Sequence, residues 1–450
     1  MVRNNPIDSE QVRLAQLRVL VSESLDEARG QGATGAEAGM SVDRGLSVTV
    51  RLGEVETVEH HRSQGFGITV YFGQRKGSAS STDLSRSAVR ETVQAACRIA
   101  QYAAEDPCAG LPDPNTLATQ FPDLDVYHPW NLDAEKAIQI ALQCETAARD
   151  FSAEISNSEG ANIDTFQGVR VLGNTLGFLH GHATSRHSLS CSIIAQRGES
   201  MQRDDWWTVA RAHSDLEAAT EVGRKAAERA VRRLGASGLS TRHCPVVFAA
   251  EVAGGLLGHL VAAIRGGNLY RKSTFLLDSL GQQIFPPFVQ IHEQPHLPRA
   301  LGSALYDAEG VATRSRHLVK DGILQSYVLS TYSARKLGMT STGNAGGVHN
   351  LTIDPGDMDL AALLKHMGSG LLITELLGQG VNIVTGDYSR GAAGFWVDGG
   401  QIQQPVEEIT IAGNLRNMFA GLQAVGSDVD QRGNTRTGSI LISEMTVAGQ

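Results

Sequence analysis

Between residues 234 and 242 (LGASGLSTR) the chain loses its hydrophobic period and carries two glycines, and this break constrains the fold more than any other feature. A chain of 450 residues is longer than one core accommodates, since single cores stop growing at roughly 250–300 residues. The break therefore predicts an N-terminal domain over residues 1–235 and a C-terminal domain over residues 243–450. With 41% hydrophobic and 19% charged residues, each half can bury a core of its own.

The first half reads as helices laid against strands. Leu14, Leu17, Val21, Leu25 and Ala28 share one face of a helix beginning near Asp8. Strand alternation follows at Leu46, Val48 and Val50, and again at Phe66, Ile68, Val70 and Phe72. Thr82 and Asp83 cap a second helix that buries Val89, Val93, Ala96 and Ala100. Five prolines between residues 106 and 129 deny that stretch a hydrogen-bonded ladder. A third helix runs from Asp133 to about Phe151, and residues 169–189 pattern as paired strands.

The second half is richer in hairpins. Asp321-Gly322 and Asp398-Gly399-Gly400 each separate extended runs, and Asp-Gly tolerates the positive backbone angles of a type I′ turn. Short amphipathic helices fit residues 360–367 and 414–422. The fold class is α+β: an N-terminal helix and antiparallel-sheet domain, then a hairpin-rich, mainly antiparallel β domain.

Several function classes are excluded. The net charge of −9, with no Lys/Arg block, gives no basic face for displacing the counterions of nucleic acid. No run approaches the roughly 18 apolar residues of a membrane span, and the polar start, Met1 to Asp8, lacks the apolar core of a secretory signal. Five scattered cysteines, never spaced CxxC, read as free thiols of a reducing compartment, the cytoplasm.

His292-Glu293-Gln294-Pro295-His296 spells HExxH, which in zinc proteases puts two histidines on one helix face beside a glutamate that activates water. Pro295 opposes that reading, because an interior proline costs a helix about 3 kcal/mol. An extended or looped segment is expected instead. Ser333-Ala334-Arg335-Lys336 matches the SxxK of serine acyl-transferases, but no convincing SxN element accompanies it. His180 and His182, two apart on a strand, share one face with no acidic or cysteine ligand close in sequence.

Six phrases in order along the chain carry a resemblance: residues 76–85 (KGSASSTDLS), 106–110 (DPCAG), 270–281 (YRKSTFLLDSLG), 341–347 (STGNAGG), 386–396 (GDYSRGAAGFW) and 408–415 (EITIAGNL). On them the chain resembles the PmbA/TldD metalloprotease family, and within it the PmbA (TldE) branch. The resemblance implies a two-domain protein pairing with a homologous TldD-like chain as a zinc peptidase for unfolded or peptide substrates. Peptide-antibiotic precursors and a toxin's antitoxin are linked to the family, as is the label modulator of DNA gyrase.

The catalytic branch carries zinc on an HExxxH helix just inside the second domain. The matching stretch here starts at Ala250-Glu251 and ends at Gly255. Only Glu251 keeps its identity, and neither Ala250 nor Gly255 can bind a metal. His259 lies near as a lone imidazole. The resemblance thus implies a non-catalytic, substrate-enclosing subunit without cofactor, with zinc in the partner of a heterodimer; alone, the chain could form a homodimer through the same surface. Candidates for lining a peptide groove are the glycine-rich turns with Gly343, Asn344, Gly346 and Gly347, and with Asp387, Tyr388, Ser389 and Arg390; tight turns alone explain these glycines equally well. Two alternatives are a self-sufficient metallopeptidase on His292, Glu293 and His296, and a serine hydrolase on Ser333 and Lys336.

Overall fold

The computed structural model describes residues 6–449; residues 1–5 of the polar start lie outside the described residues. In the N-terminal half the order is α1 (Pro6–Gly30), β1 (Gly35–Arg51), β2 (Glu54–Phe72), β3 (Arg75–Ser81), α2 (Arg86–Tyr102), α3 (Ala134–Arg149), β4 (Ile155–Asn174), β5 (Leu179–Arg197), β6 (Ser200–Ala210) and α4 (Ala219–Arg232). The strands form one antiparallel sheet in the order β3-β2-β1-β4-β5-β6. Alternate residues of β1, Ala36 to Val42 and Leu46 to Val50, are buried on one face. Helices α1 and α2 cover the first part of that face, and α3 and α4 cover the rest. One sheet thus serves two adjoining cores.

Local signals place most boundaries. Asp133 caps α3 by accepting from Lys136 N at 2.8 Å. At α2 the cap is Ser85, whose hydroxyl accepts from Ala88 N, and not Thr82–Asp83 as the sequence suggests. Asp83 instead accepts from Ser85 N at 2.8 Å and turns the chain into the helix. Two helices pass closely at Gly223, where an added Cβ would stand 2.0 Å from Cys144 O.

The C-terminal half begins with β7 (Arg242–Phe248) and α5 (Ala250–Ile264), then α6 (Gly266–Tyr270), β8 (Ile291–Glu293), β9 (Arg316–Lys320), β10 (Ile323–Leu324), α7 (Thr331–Lys336) and β11 (Leu351–Ile353). It continues with α8 (Leu360–Met367), β12 (Gly370–Leu377), β13 (Asp387–Asp398), β14 (Gln401–Asn414), α9 (Leu415–Ala420), β15 (Leu422–Val425), β16 (Thr435–Arg436) and β17 (Ile440–Ala448). Sheets β14-β13-β12-β7-β17-β15 and β10-β9-β8-β11-β16 enclose a large apolar core. A further β14–β17 pairing curls the first toward a barrel. Both Asp-Gly turns form hairpins, with φ of 53° at Asp321 and 55° at Gly399. Most pairings are antiparallel, but β7 with β12 and β11 with β16 run parallel, so the half is mixed. The fold is α+β throughout.

Candidate functional site

The second face of the N-terminal sheet is polar and looks across at the C-terminal half. On β4, Ile163, Val169 and Val171 point to the helices, so Asp164, Phe166 and Arg170 point the other way. On β5 the same parity sends His182, Thr184, Arg186 and Ser188 to that side. Residues 301–308, 346–349 and 432–434 of the C-terminal half stand opposite, and a cavity of about 1740 Å³ lies between. Small-molecule pockets are usually 300–1,000 Å³; this one has room for a length of chain.

Each opposing wall is fixed by named contacts. Asn350 joins two segments, donating to Ser303 Oγ at 2.8 Å while its backbone N–H donates to Asn434 Oδ1 at 2.6 Å. A Cβ at Gly302 would fall 1.7 Å from Asn434 Oδ1, so any larger residue there would displace the Asn434 side chain that accepts from Asn350. The 344–349 turn hangs on Glu293, only 2% exposed, which accepts from Asn344 Nδ2 at 2.8 Å and His349 N at 2.7 Å and pairs with Arg316 at 3.0 Å. Asp307 accepts from Ala345 N at 2.9 Å, and burial raises its carboxyl to about 7.

Contacts also tie the two halves together. Arg432 lies over Trp206 at 3.9 Å and donates to Trp207 O at 3.0 Å. Arg211 donates to Leu301 O at 2.7 Å. His182 Nδ1 stands 3.3 Å from Tyr306 OH, and burial with the nearby His180, Arg170 and Arg211 lowers its pKa to about 4. That imidazole is neutral at pH 7.

The sequence candidates fall in several places. Gly346 lines the cavity; Gly343, Gly346 and Gly347 have φ of 73°, 105° and 132°, where glycine is favoured. Asn344 is buried in the Glu293 network. Asp387, Tyr388, Ser389 and Arg390 begin β13 and do not line this cavity. Tyr388 is 2% exposed and packs edge-on against His259, ring centroids 5.8 Å apart.

Three catalytic patterns fare differently from their spelling. HExxH is no helix: His292 and Glu293 end the extended β8 and face opposite ways. His292 Nε2 meets Asp354 at 2.7 Å, and His296 Nε2 meets Thr313 Oγ1 at 3.1 Å. Ser333 Oγ bonds within the α7 capping box with Ser330, whereas Lys336 reaches Asp106 at 3.1 Å, so no base touches that serine. At the start of α5, Ala250 and Gly255 offer no donor atom for a metal. Glu251 is ion-paired with Arg229 at 2.7 Å, and Arg229 also holds Asp204 at 2.9 Å. The helix is α-helical throughout. The donor set here does not fit zinc. Among the described residues no three His, Cys, Asp or Glu side chains gather as a metal site.

Arg170, Arg186 and Arg211 were not singled out by the sequence. For Arg170 and Arg186 the signal was the alternation of β4 and β5, which reads equally as a solvent face until the second domain is seen opposite; Arg211, just beyond β6, carried no such signal.

Comparison with known proteins agrees along the whole chain. Family models described as PmbA/TldA metallopeptidase domain 1, central domain and C-terminal domain match residues 36–100, 127–234 and 241–449. The metalloprotease PmbA of Escherichia coli O157:H7 is 51% identical over 97% of each chain. A Bacteroides thetaiotaomicron crystal structure described as a modulator of DNA gyrase superposes with a TM-score of 0.91 at 26% identity, covering 99% of this chain and 100% of that one. TldE of Thermococcus kodakarensis shares the fold, with a TM-score of 0.82 at 19% identity over 96% of this chain and 100% of its own. With three consecutive domain models matched and a relative this similar end to end, the chain belongs to the PmbA/TldD metallopeptidase family, as a PmbA-type member.

Proposed function

We propose that this chain is the non-catalytic, substrate-enclosing subunit of a two-chain zinc peptidase. The metal is carried by a homologous TldD-type partner, and the pair approximates a two-fold heterodimer. Unfolded or peptide substrates are held extended, through backbone pairing that tolerates many sequences. The observation that carries this reading is the start of α5. There Ala250 and Gly255 flank a glutamate engaged by Arg229, so neither metal ligation nor water activation is available. The cavity between the two halves supports the enclosing role. Free cysteines, Cys97, Cys108, Cys144, Cys191 and Cys244, fit a reducing, cytoplasmic setting.

The test is elemental analysis of the purified chain after dialysis against a weak chelator, paired with cleavage of an unfolded protein. We expect near-zero zinc and no cleavage by the chain alone, with cleavage on adding a TldD-type chain. About one zinc per chain, with chelator-sensitive cleavage in the absence of any partner, would overturn the proposal.

A further inference from the structure

The cavity has a sign. Arg170, Arg186, Arg211 and Arg432 line it against the carboxylates Asp164 and Asp307, although the whole chain carries a net charge of −9. Arg432 is neutralised by Asp430 at 2.9 Å, and Asp307 is engaged by the backbone N–H groups of Glu309, Val311 and Ala345. Among the described residues no carboxylate stands within 4 Å of Arg170, Arg186 or Arg211. Asp43 is the carboxyl that Arg170 influences from farther off. Asp164 lies six residues along β4 from Arg170, about 20 Å away on an extended strand, and is a diagonal cross-strand neighbour of Arg186 with no ion pair formed between them.

Arg211 is the anchored member. It donates to Ser185 O at 3.0 Å and to Leu301 O at 2.7 Å, while its Nε is buried without a partner. Burial, with Arg186 and Arg170 near, lowers its pKa to about 10. Asp43 and Asp164 stand beyond ion-pair distance, so three like charges gathered here are only partly compensated, which destabilises the free protein. A bound anion removes that repulsion.

We infer that this cavity selects extended peptides bearing acidic side chains, its face formed by Arg170, Arg186 and Arg211. The inference rests on the reading of the cavity as a peptide enclosure, and names its substrate class. Register supports a peptide over a compact anion. Phe166 pairs with Arg186 and His182 with Arg170, so the two exposed arginines sit four residues apart along the strands, about 13 Å. Carboxylates at positions i and i+4 of an extended peptide have that separation. Long nucleic acid polyanions are disfavoured by the acidity of the rest of the chain.

The test uses the full chain and fluorescence anisotropy at low salt. Three labelled unstructured peptides of equal length are compared, one Asp/Glu-rich, one neutral Ser/Gln-rich and one Lys-rich, with a single-stranded oligonucleotide as a fourth probe. We expect the acidic peptide to bind about tenfold tighter than the neutral one, the yield of two partly exposed ion pairs. The R170Q/R186Q variant, altered only at exposed positions, should erase that difference. Equal binding of acidic and neutral peptides overturns the inference while leaving the enclosure reading intact. A preference surviving R170Q/R186Q also overturns it, as does an oligonucleotide binding as tightly as the acidic peptide. Absence of binding by every peptide overturns both readings.

Discussion

Replacing Glu293 with alanine separates a structural clamp from a catalytic base at one position. The carboxylate is 2% exposed and its Arg316 partner's side chain 13% exposed, 3.0 Å apart. Removing one member of a buried pair leaves the other charge unmatched, at about 3–5 kcal/mol. Two further donors, Asn344 Nδ2 and His349 N, lose their acceptor as well. Hydrogen exchange of residues 341–351 reads the clamp locally, because the His349 amide is itself one of the bonds. A loss of about 3 kcal/mol speeds exchange roughly hundredfold where local opening is the route. Arg316→Ala should loosen the same residues, and the double variant should cost less than the sum of the singles. Unchanged exchange in Glu293→Ala, with loss of whatever peptidase activity the chain supports, would refute this reasoning and restore the HExxH reading.

Gly223→Ala forces a methyl to within 2.0 Å of Cys144 O, so α3 and α4 have to separate. We expect about 1–3 kcal/mol of destabilisation, seen as a lower thermal midpoint; an unchanged midpoint would deny the close approach. Glu37 is pushed up to about 7 by burial first and Glu309 second. Its folded pKa lies above its unfolded one, so its stabilising contribution is whole below pH 4.5 and is lost as pH rises through about 7. That is at most ~3 kcal/mol. Urea titrations at pH 5 and pH 8 should show a smaller difference in Glu37→Gln than in the parent, with Asp307 supplying the residual slope; an identical difference would exclude Glu37 as its source.

Features read from the sequence were those written in local chemistry. The helix of residues 360–367 and the Asp321-Gly322 turn depend on neighbours within a few positions. The prolines correctly denied residues 292–296 a helix, because their effect is also local. Ser85 was missed as a cap because Thr82–Asp83 offers the same side-chain chemistry three residues earlier. The parallel pairing of β7 with β12 joins segments more than a hundred residues apart, and an apolar run carries no mark of its partner's direction. The cavity was hidden for a related reason. Arg170 and Arg186 on an alternating strand look like an ordinary wet face, and only the tertiary arrangement sets residues 301–308 and 432–434 across from them.

Helix α5 explains how such a chain can keep this architecture without metal ligands. Ala253, Leu256, Leu257, Leu260 and Ile264 are buried in the C-terminal core, and this stripe fixes the helix. Glu251, Gly254, Gly255 and Gly258 occupy the other side, at i, i+3, i+4 and i+7. A Cβ added at Gly255 or Gly258 would meet nothing within 4 Å. Of the positions matched to the ligands of the catalytic branch, Ala250 is buried and its small side chain fits the core, whereas Gly255 contributes little to packing. Glycine there costs helix propensity, up to about 1 kcal/mol each relative to alanine, and the apolar stripe outweighs it.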